Sequence, residues 1–237
     1  MLPGLDRLWL PVVSLGSCLA LAFFGAQMLL ELPSSVDEAE AHQLSLKAIE
    51  NLRTISAAQA RFAADGTIDE DHDGLGEYGF LRELGGNLTR GAAGRPRPSL
   101  IGTALTSAVV NTRGHRAALD GHYVFQVWLP GRGGAPLSDA VSIEFAGPGA
   151  IQTDQAEQRW CAYAWPASEV TGQQPAYYVG VEGTIWATDW NHGPHYQGLD
   201  SGPDTGAASS AGGSVWSGPA GDGRPSRDGR IWYPLLR

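Results

Sequence analysis

From residue 69 to residue 77 the chain reads Asp-Glu-Asp-His-Asp-Gly-Leu-Gly-Glu, with carboxylates on the alternate positions Asp69, Asp71 and Asp73. Acidic side chains spaced by two, with Gly74 at the sixth position to let the backbone turn, can wrap oxygen ligands around a hard cation such as calcium. Glu77 falls at the ninth position and adds an oxygen, directly or through water. The twelfth position, where an EF-hand carries a bidentate Glu, is Phe80, so the loop is either weak or closed by other means. The competing reading is an acidic, solvated turn. A second candidate is Asp189 with His192 and His195, two imidazoles and a carboxylate that suit a transition metal. The Gly193-Pro194 between the histidines excludes regular helical spacing.

No set for covalent or acid–base catalysis emerges. A Gly-x-Ser-x-Gly elbow is missing, and Cys161 sits in a strand-like run where a buried inert thiol is the ordinary reading. The glycines lack the strand-to-helix setting of a phosphate-binding loop. These observations predict a protein that is not an enzyme. Of the eight tryptophans, Trp128, Trp160, Trp165 and Trp186 lie in strand patterns, whereas Trp190, Trp216 and Trp232 are better placed for exposed contacts such as stacking on a glycan.

The elements that must carry these residues begin with an uncharged run from Leu8 to Leu30. A helix of roughly 20 apolar residues crosses the hydrocarbon layer, so a transmembrane anchor is expected over residues 8–32, after a short cytoplasmic N-terminus, 1–7. The run is longer than the apolar core of about 7–15 residues in a cleaved signal peptide. Leu15-Gly16-Ser17-Cys18 has a lipobox-like look, but the residues after Cys18 stay apolar. Arg7 before the span, and Glu31, Asp37, Glu38 and Glu40 after it, place the remainder outside the cytoplasm. Gly16 and Ala20, and Ala22 and Ala26, stand four apart and allow close helix–helix approach.

Ser35 with Glu38 reads as a capping box opening a second helix to about Ala64. Leu44, Ala48, Ile49, Leu52, Ile55, Ala58 and Phe62 give it one apolar stripe. A short helix is expected over Tyr78–Leu84; Leu100–Val110 reads as either helix or strand, with a short helix preferred. Strands are expected over His122–Leu129, Ala140–Phe145, Trp160–Trp165, Tyr177–Val181 and Thr184–Thr188. Short strands following helices indicate an α+β fold: a long N-terminal transmembrane-plus-amphipathic helix packed on an antiparallel sheet. That domain would span 33–190. Residues 191–237, rich in Gly, Ser and Pro, read as a flexible or extended tail ending in the apolar Ile231–Leu236, which either docks on the sheet or meets another molecule. A net charge of −9 excludes sequence-independent nucleic-acid binding.

The stem sequence Ala48-Ile49-Glu50-Asn51-Leu52-Arg53-Thr54-Ile55 and the following Gly74-Leu75-Gly76-Glu77-Tyr78-Gly79 resemble type IV pilin-like and pseudopilin-like proteins of bacterial envelopes. Gly121-His122-Tyr123-Val124-Phe125, Trp160-Cys161-Ala162-Tyr163-Ala164-Trp165-Pro166 and Ile185-Trp186-Ala187-Thr188-Asp189 are similar to the large planctomycete kind. The resemblance covers about residues 8–190. The prepilin cleavage motif, Gly before Phe-Thr-Leu-Ile-Glu, is replaced by Gly4-Leu5-Asp6-Arg7, and the registering Glu is absent. The resemblance implies a single-pass protein of the bacterial inner membrane with a periplasmic domain, acting as a filament or secretion-system subunit. Its partners would be the lipid bilayer and either its own copies or other envelope proteins. It also implies calcium at the Asp69–Asp73 loop, as in some pseudopilins. The alternative is a membrane-tethered domain that binds calcium or another ligand.

Overall fold

The computed structural model describes residues 12–87, 90, 97–139, 149–168, 174–189, 193 and 195–235, with side chains from residue 38 onward. The chain divides into two compact units, 1–42 and 43–237. In the first, the described part is the beginning of helix α1 (Val12–Ala64). No helix among the described residues is long and apolar enough to cross a membrane. The 8–32 anchor expected from hydropathy falls outside them: residues 1–11 in full, and residues 12–32 in their side chains. The expected helix start at Ser35 is not an element boundary, since α1 runs on from Val12. Pro33 therefore lies inside this helix.

In the second unit the stripe on α1 is buried as its spacing predicts. Ala48, Leu52, Ile55, Ala58 and Phe62 lie in the main core, with Leu44 and Ile49 packed at its margin. Gln59, also fully buried, exchanges two hydrogen bonds with the backbone of Gly79: its Nε2 donates to the carbonyl at 2.8 Å and its Oε1 accepts the amide at 2.9 Å. A Cβ on Gly79 would meet the Phe62 ring at 2.9 Å, so this segment lies on the helix only because residue 79 has no side chain. The helix ends at Ala64, and Gly66, whose φ of +54° suits glycine, turns the chain into the acidic loop.

The helix packs against an antiparallel sheet of eight strands: β1 (Ala108–Val110), β2 (Arg116–Asp120), β3 (Tyr123–Pro130), β4 (Pro136–Ser138), β5 (Cys161–Pro166), β6 (Tyr177–Gly180), β7 (Ile185–Thr188) and β8 (Trp232–Pro234). Their order is β1-β2-β3-β5-β6-β7-β8, with β4 paired to the far end of β3. Among the described residues there are three further short α-helices, α2 (Leu81–Leu84), α3 (Thr103–Thr106) and α4 (Thr153–Ala156), and a 3-10 turn at Arg132–Gly134. The helices expected over Tyr78–Leu84 and Leu100–Val110 shrink to α2 and α3, because residues 108–110 pair with β2 instead. The strand expected at Ala140–Phe145 lies outside the described residues.

Strands β3, β5 and β6 are buried along their whole length, which requires cover on both faces of the sheet. Alternation sorts their side chains. Tyr123, Phe125, Val127, Leu129, Ala162 and Ala164 join the helix-side core. Val124, Trp128, Cys161, Tyr163, Trp165 and Tyr178 form a second core on the opposite face. Small Ala162 and Ala164 let the helix approach, and the bulk of β5 points the other way.

What covers the second face corrects the tail expectation. Residues 195–235 fold over it: Tyr196, Ala207, Ala208 and Trp232 are buried there, and β8 pairs with β7. Composition hid this because few apolar residues are needed when the sheet supplies the aromatic surface and the loops satisfy their own backbone. Trp165 Nε1 donates to the Gly198 carbonyl at 2.7 Å, and the Tyr163 hydroxyl accepts from the Ala208 amide at 3.2 Å. Between loops, the Arg227 amide donates to the Ser209 carbonyl at 2.9 Å. A Cβ at Gly202 would fall 2.4 Å from the Trp165 ring, so close contact again depends on a glycine.

Candidate metal centre

The loop between α1 and α2 is anchored by Ile68, which is buried in the core, and leaves Asp71 and Asp73 exposed and Asp69 partly buried. Backbone amides hold them in place. Gly74 donates to Asp69 Oδ2 at 3.2 Å, Asp73 to Asp71 Oδ1 at 3.3 Å, and Leu75 to Asp73 Oδ1 at 2.8 Å. Left-handed backbone at His72 (φ 64°) and Gly74 (φ 93°) folds the loop back on itself. As a result Asp69, Asp71 and Asp73 each present an oxygen within 4.8 Å of the others.

A second group, Asp71 with Asp154 and Glu157, meets the same distance limit and shares Asp71 with the first. Asp154 lies in α4 and Glu157 caps it, so a helix about eighty residues away in sequence brings carboxylates that the loop itself lacks. The Thr153 hydroxyl, hydrogen-bonded to Asp71, holds that carboxyl below its usual range. Glu157 is pushed upward, first by burial and then by the negative charges of Asp73, Asp71, Asp154 and Asp69. Asp69 Oδ1 and Glu157 Oε1 are buried without a hydrogen-bond partner. A set of hard oxygens with no sulfur or imidazole, and with no cation paired to it among the described residues, fits calcium rather than a transition metal.

Glu77 does not belong to either group. It is fully buried and faces inward, accepting the Glu70 amide at 2.8 Å on Oε1, with Oε2 at 3.8 Å from Arg90 Nη1. Its place at the ninth loop position suggested a ligand, but the chain turns there to enter the core. Arg90 is the hub of this buried cluster. Its Nε and Nη2 bind both oxygens of Glu83 at 3.1 and 3.0 Å, and Nη2 also donates to the Tyr78 carbonyl at 2.8 Å.

Burial pushes the Glu77 carboxyl up to about 7, against the lowering effects of the Glu70 amide and Arg90. A carboxyl that binds its proton more tightly in the folded chain favours folding when protonated. That contribution is present below its ordinary value of 4.5 and is lost as pH rises to about 7. Urea unfolding of the wild type from pH 5 to 8 should therefore show stability falling with pH, with on the order of 3 kcal/mol carried by this group. Glu77→Gln should flatten the profile, leaving the smaller falling slopes of Glu70, Glu157 and Asp228, which are raised in the same sense, and the opposing slope of His115, which burial lowers.

The second sequence candidate is not assembled among the described residues. Asp189 is occupied through its backbone, its carbonyl accepting Arg230 Nη1 at 2.7 Å. His195 is exposed at the edge of a cleft formed by the C-terminal segment. His192 and Trp190 lie outside the described residues. Cys161 is buried and free, its thiol raised by burial, as expected of an inert core residue. Asp154 and Glu157 went unnoticed in the sequence. Their spacing of three, which puts both on one side of a helical turn, was the available signal. No protein-family model matches the chain, and no curated protein or solved structure does either.

Proposed function

We propose that this chain is a non-enzymatic, membrane-anchored structural and interaction protein of the bacterial envelope, built on the plan of type IV pilin-like and pseudopilin-like subunits. One observation carries the reading: α1 joins an uncharged apolar run to an amphipathic half whose stripe fills the core beneath an antiparallel sheet. The apolar run sits in the inner membrane with the sheet domain on the periplasmic side, and the domain works by association with its own copies or with other envelope proteins. Concentrating the full chain and withdrawing detergent slowly should give ordered polymers by electron microscopy. Monodisperse monomers at every concentration would count against assembly.

The convergence of two carboxylate groups on Asp71 favours a second reading, in which the periplasmic domain binds calcium. Extracellular calcium modules bind at about 0.1–1 mM. At that affinity, 10 mM calcium should stabilise the fold by about 1 to 3 kcal/mol, seen as a rise in Tm. Asp71→Asn, which removes the shared ligand, should abolish the rise. An unchanged wild-type Tm would dismiss the metal.

A further inference from the structure

The C-terminal segment covers the second face of the sheet incompletely. Beside the turn between β6 and β7, and opposite residues 216–219, it leaves an open cleft of about 510 Å³. Tyr178, Trp186 and Trp216 line it. Trp186 and Trp216 are only partly buried, with the rest of each side chain packed against the second core. Packing against the second core already restricts both indoles, so covering them with a ligand costs less side-chain freedom than ordering a free surface residue would. Gly180 also lines the cleft, and a Cβ there would come within 2.7 Å of the Tyr178 hydroxyl, so the glycine keeps that polar atom uncrowded.

Around the rings stand Gln158, Arg159 and Glu182, all exposed. They supply a neutral amide, a planar cation with paired donors and a carboxylate with paired acceptors. The formal charges of Arg159 and Glu182 cancel, and the chain as a whole carries −9, so the cleft has no attraction for anions. A ligand that suits this lining needs no net charge, presents flat C–H faces to the indoles and offers hydroxyls to both donors and acceptors. The volume lies within the usual range of about 300–1,000 Å³ for small-molecule sites.

We propose that this cleft binds a neutral oligosaccharide, its sugar rings stacked on Trp186 and Trp216 and its hydroxyls held by Gln158, Arg159 and Glu182. A domain anchored beside the cell wall would in this way hold a glycan chain independently of any assembly through α1.

The test is calorimetric titration of the full chain, in a detergent without a sugar headgroup, with two probes: hexamers of β-1,4-linked glucose and of β-1,4-linked N-acetylglucosamine. Saturable binding of either hexamer is expected, and which one binds separates a plain glucan from an amino-sugar polymer. Trp216→Ala should weaken binding by roughly tenfold or more, while Trp216→Phe retains most of it. Glu182→Ala, at an exposed turn position, should weaken binding without touching the core, and so reads the site even if the tryptophan variant unfolds. No heat with either hexamer at about 10 mM would overturn the proposal. So would binding indifferent to both alanine variants, or saturable binding of a proline- and aromatic-rich peptide in place of the sugars.

Discussion

Arg90→Met should destabilise the sheet domain by about 3 to 5 kcal/mol, the usual cost of removing one partner from a buried ion pair. Arg90 is 8% exposed, while Glu83 and Glu77 are 1% and 0% exposed, so water cannot replace the lost guanidinium. The Glu83 carboxylate would lose both of its short contacts to Arg90, and Glu77 and Glu70 would lose the only cation shown near them among the described residues. The carboxyls can escape only by taking up protons, so the variant should lose less stability at pH 5 than at pH 8. Adding Glu83→Gln and Glu77→Gln to Arg90→Met should recover part of the loss, because it removes the stranded charges. Urea unfolding of the three proteins at two pH values measures all of this. An Arg90→Met loss below about 1 kcal/mol would mean that the cluster is solvated.

Trp232→Ala should be almost as damaging, at about 3 to 5 kcal/mol. For a domain of this size that lowers Tm by roughly 10 °C. Trp232 is 2% exposed and sits edge-on to Tyr163 and Tyr178, with centroids at 6.0 and 6.3 Å. Its indole donates to Asp228 Oδ2 at 3.2 Å, and the same oxygen accepts the Tyr196 hydroxyl at 2.7 Å. One residue thus ties β8, the loop before it and the aromatic face of β5 and β6 together. If the last forty residues were a loose appendage, the same substitution would shift Tm by no more than a degree or two. Thermal unfolding monitored by near-ultraviolet circular dichroism separates these outcomes.

The parts of this fold that sequence could disclose are those with a long period. The α1 stripe repeats over five turns, so its helical character and its buried face follow directly from the spacing of Ala48, Leu52, Ile55 and Phe62. Strands β3, β5, β6 and β7 were legible through their aromatic and β-branched residues, to within a residue or so at each end. Strand β2 was not: Arg-Ala-Ala-Leu-Asp has little strand propensity, and pairing with β3 decides its conformation. The C-terminal region defeats composition for a related reason. Its glycines and serines bury little themselves, yet they close over Tyr163 and Trp165, which need cover.

The acidic loop was half legible. Alternate aspartates announce themselves locally, and the structure does bring Asp69, Asp71 and Asp73 together. Glu77 looked equivalent in sequence because nothing local marks the point where the chain dives into the core. Its neighbour Arg90 lies thirteen residues on, beyond any short motif. Asp154 and Glu157 join through tertiary packing alone.

The claim beneath the proposed function is that the uncharged N-terminal run resides in a bilayer. Fractionation of cells expressing the full chain addresses it directly. The protein should pellet with membranes, stay there through washes with concentrated salt and alkaline carbonate, and be released by detergent. A chain that appears in the aqueous fraction, without detergent and without a companion protein bound to residues 8–32, would contradict the account.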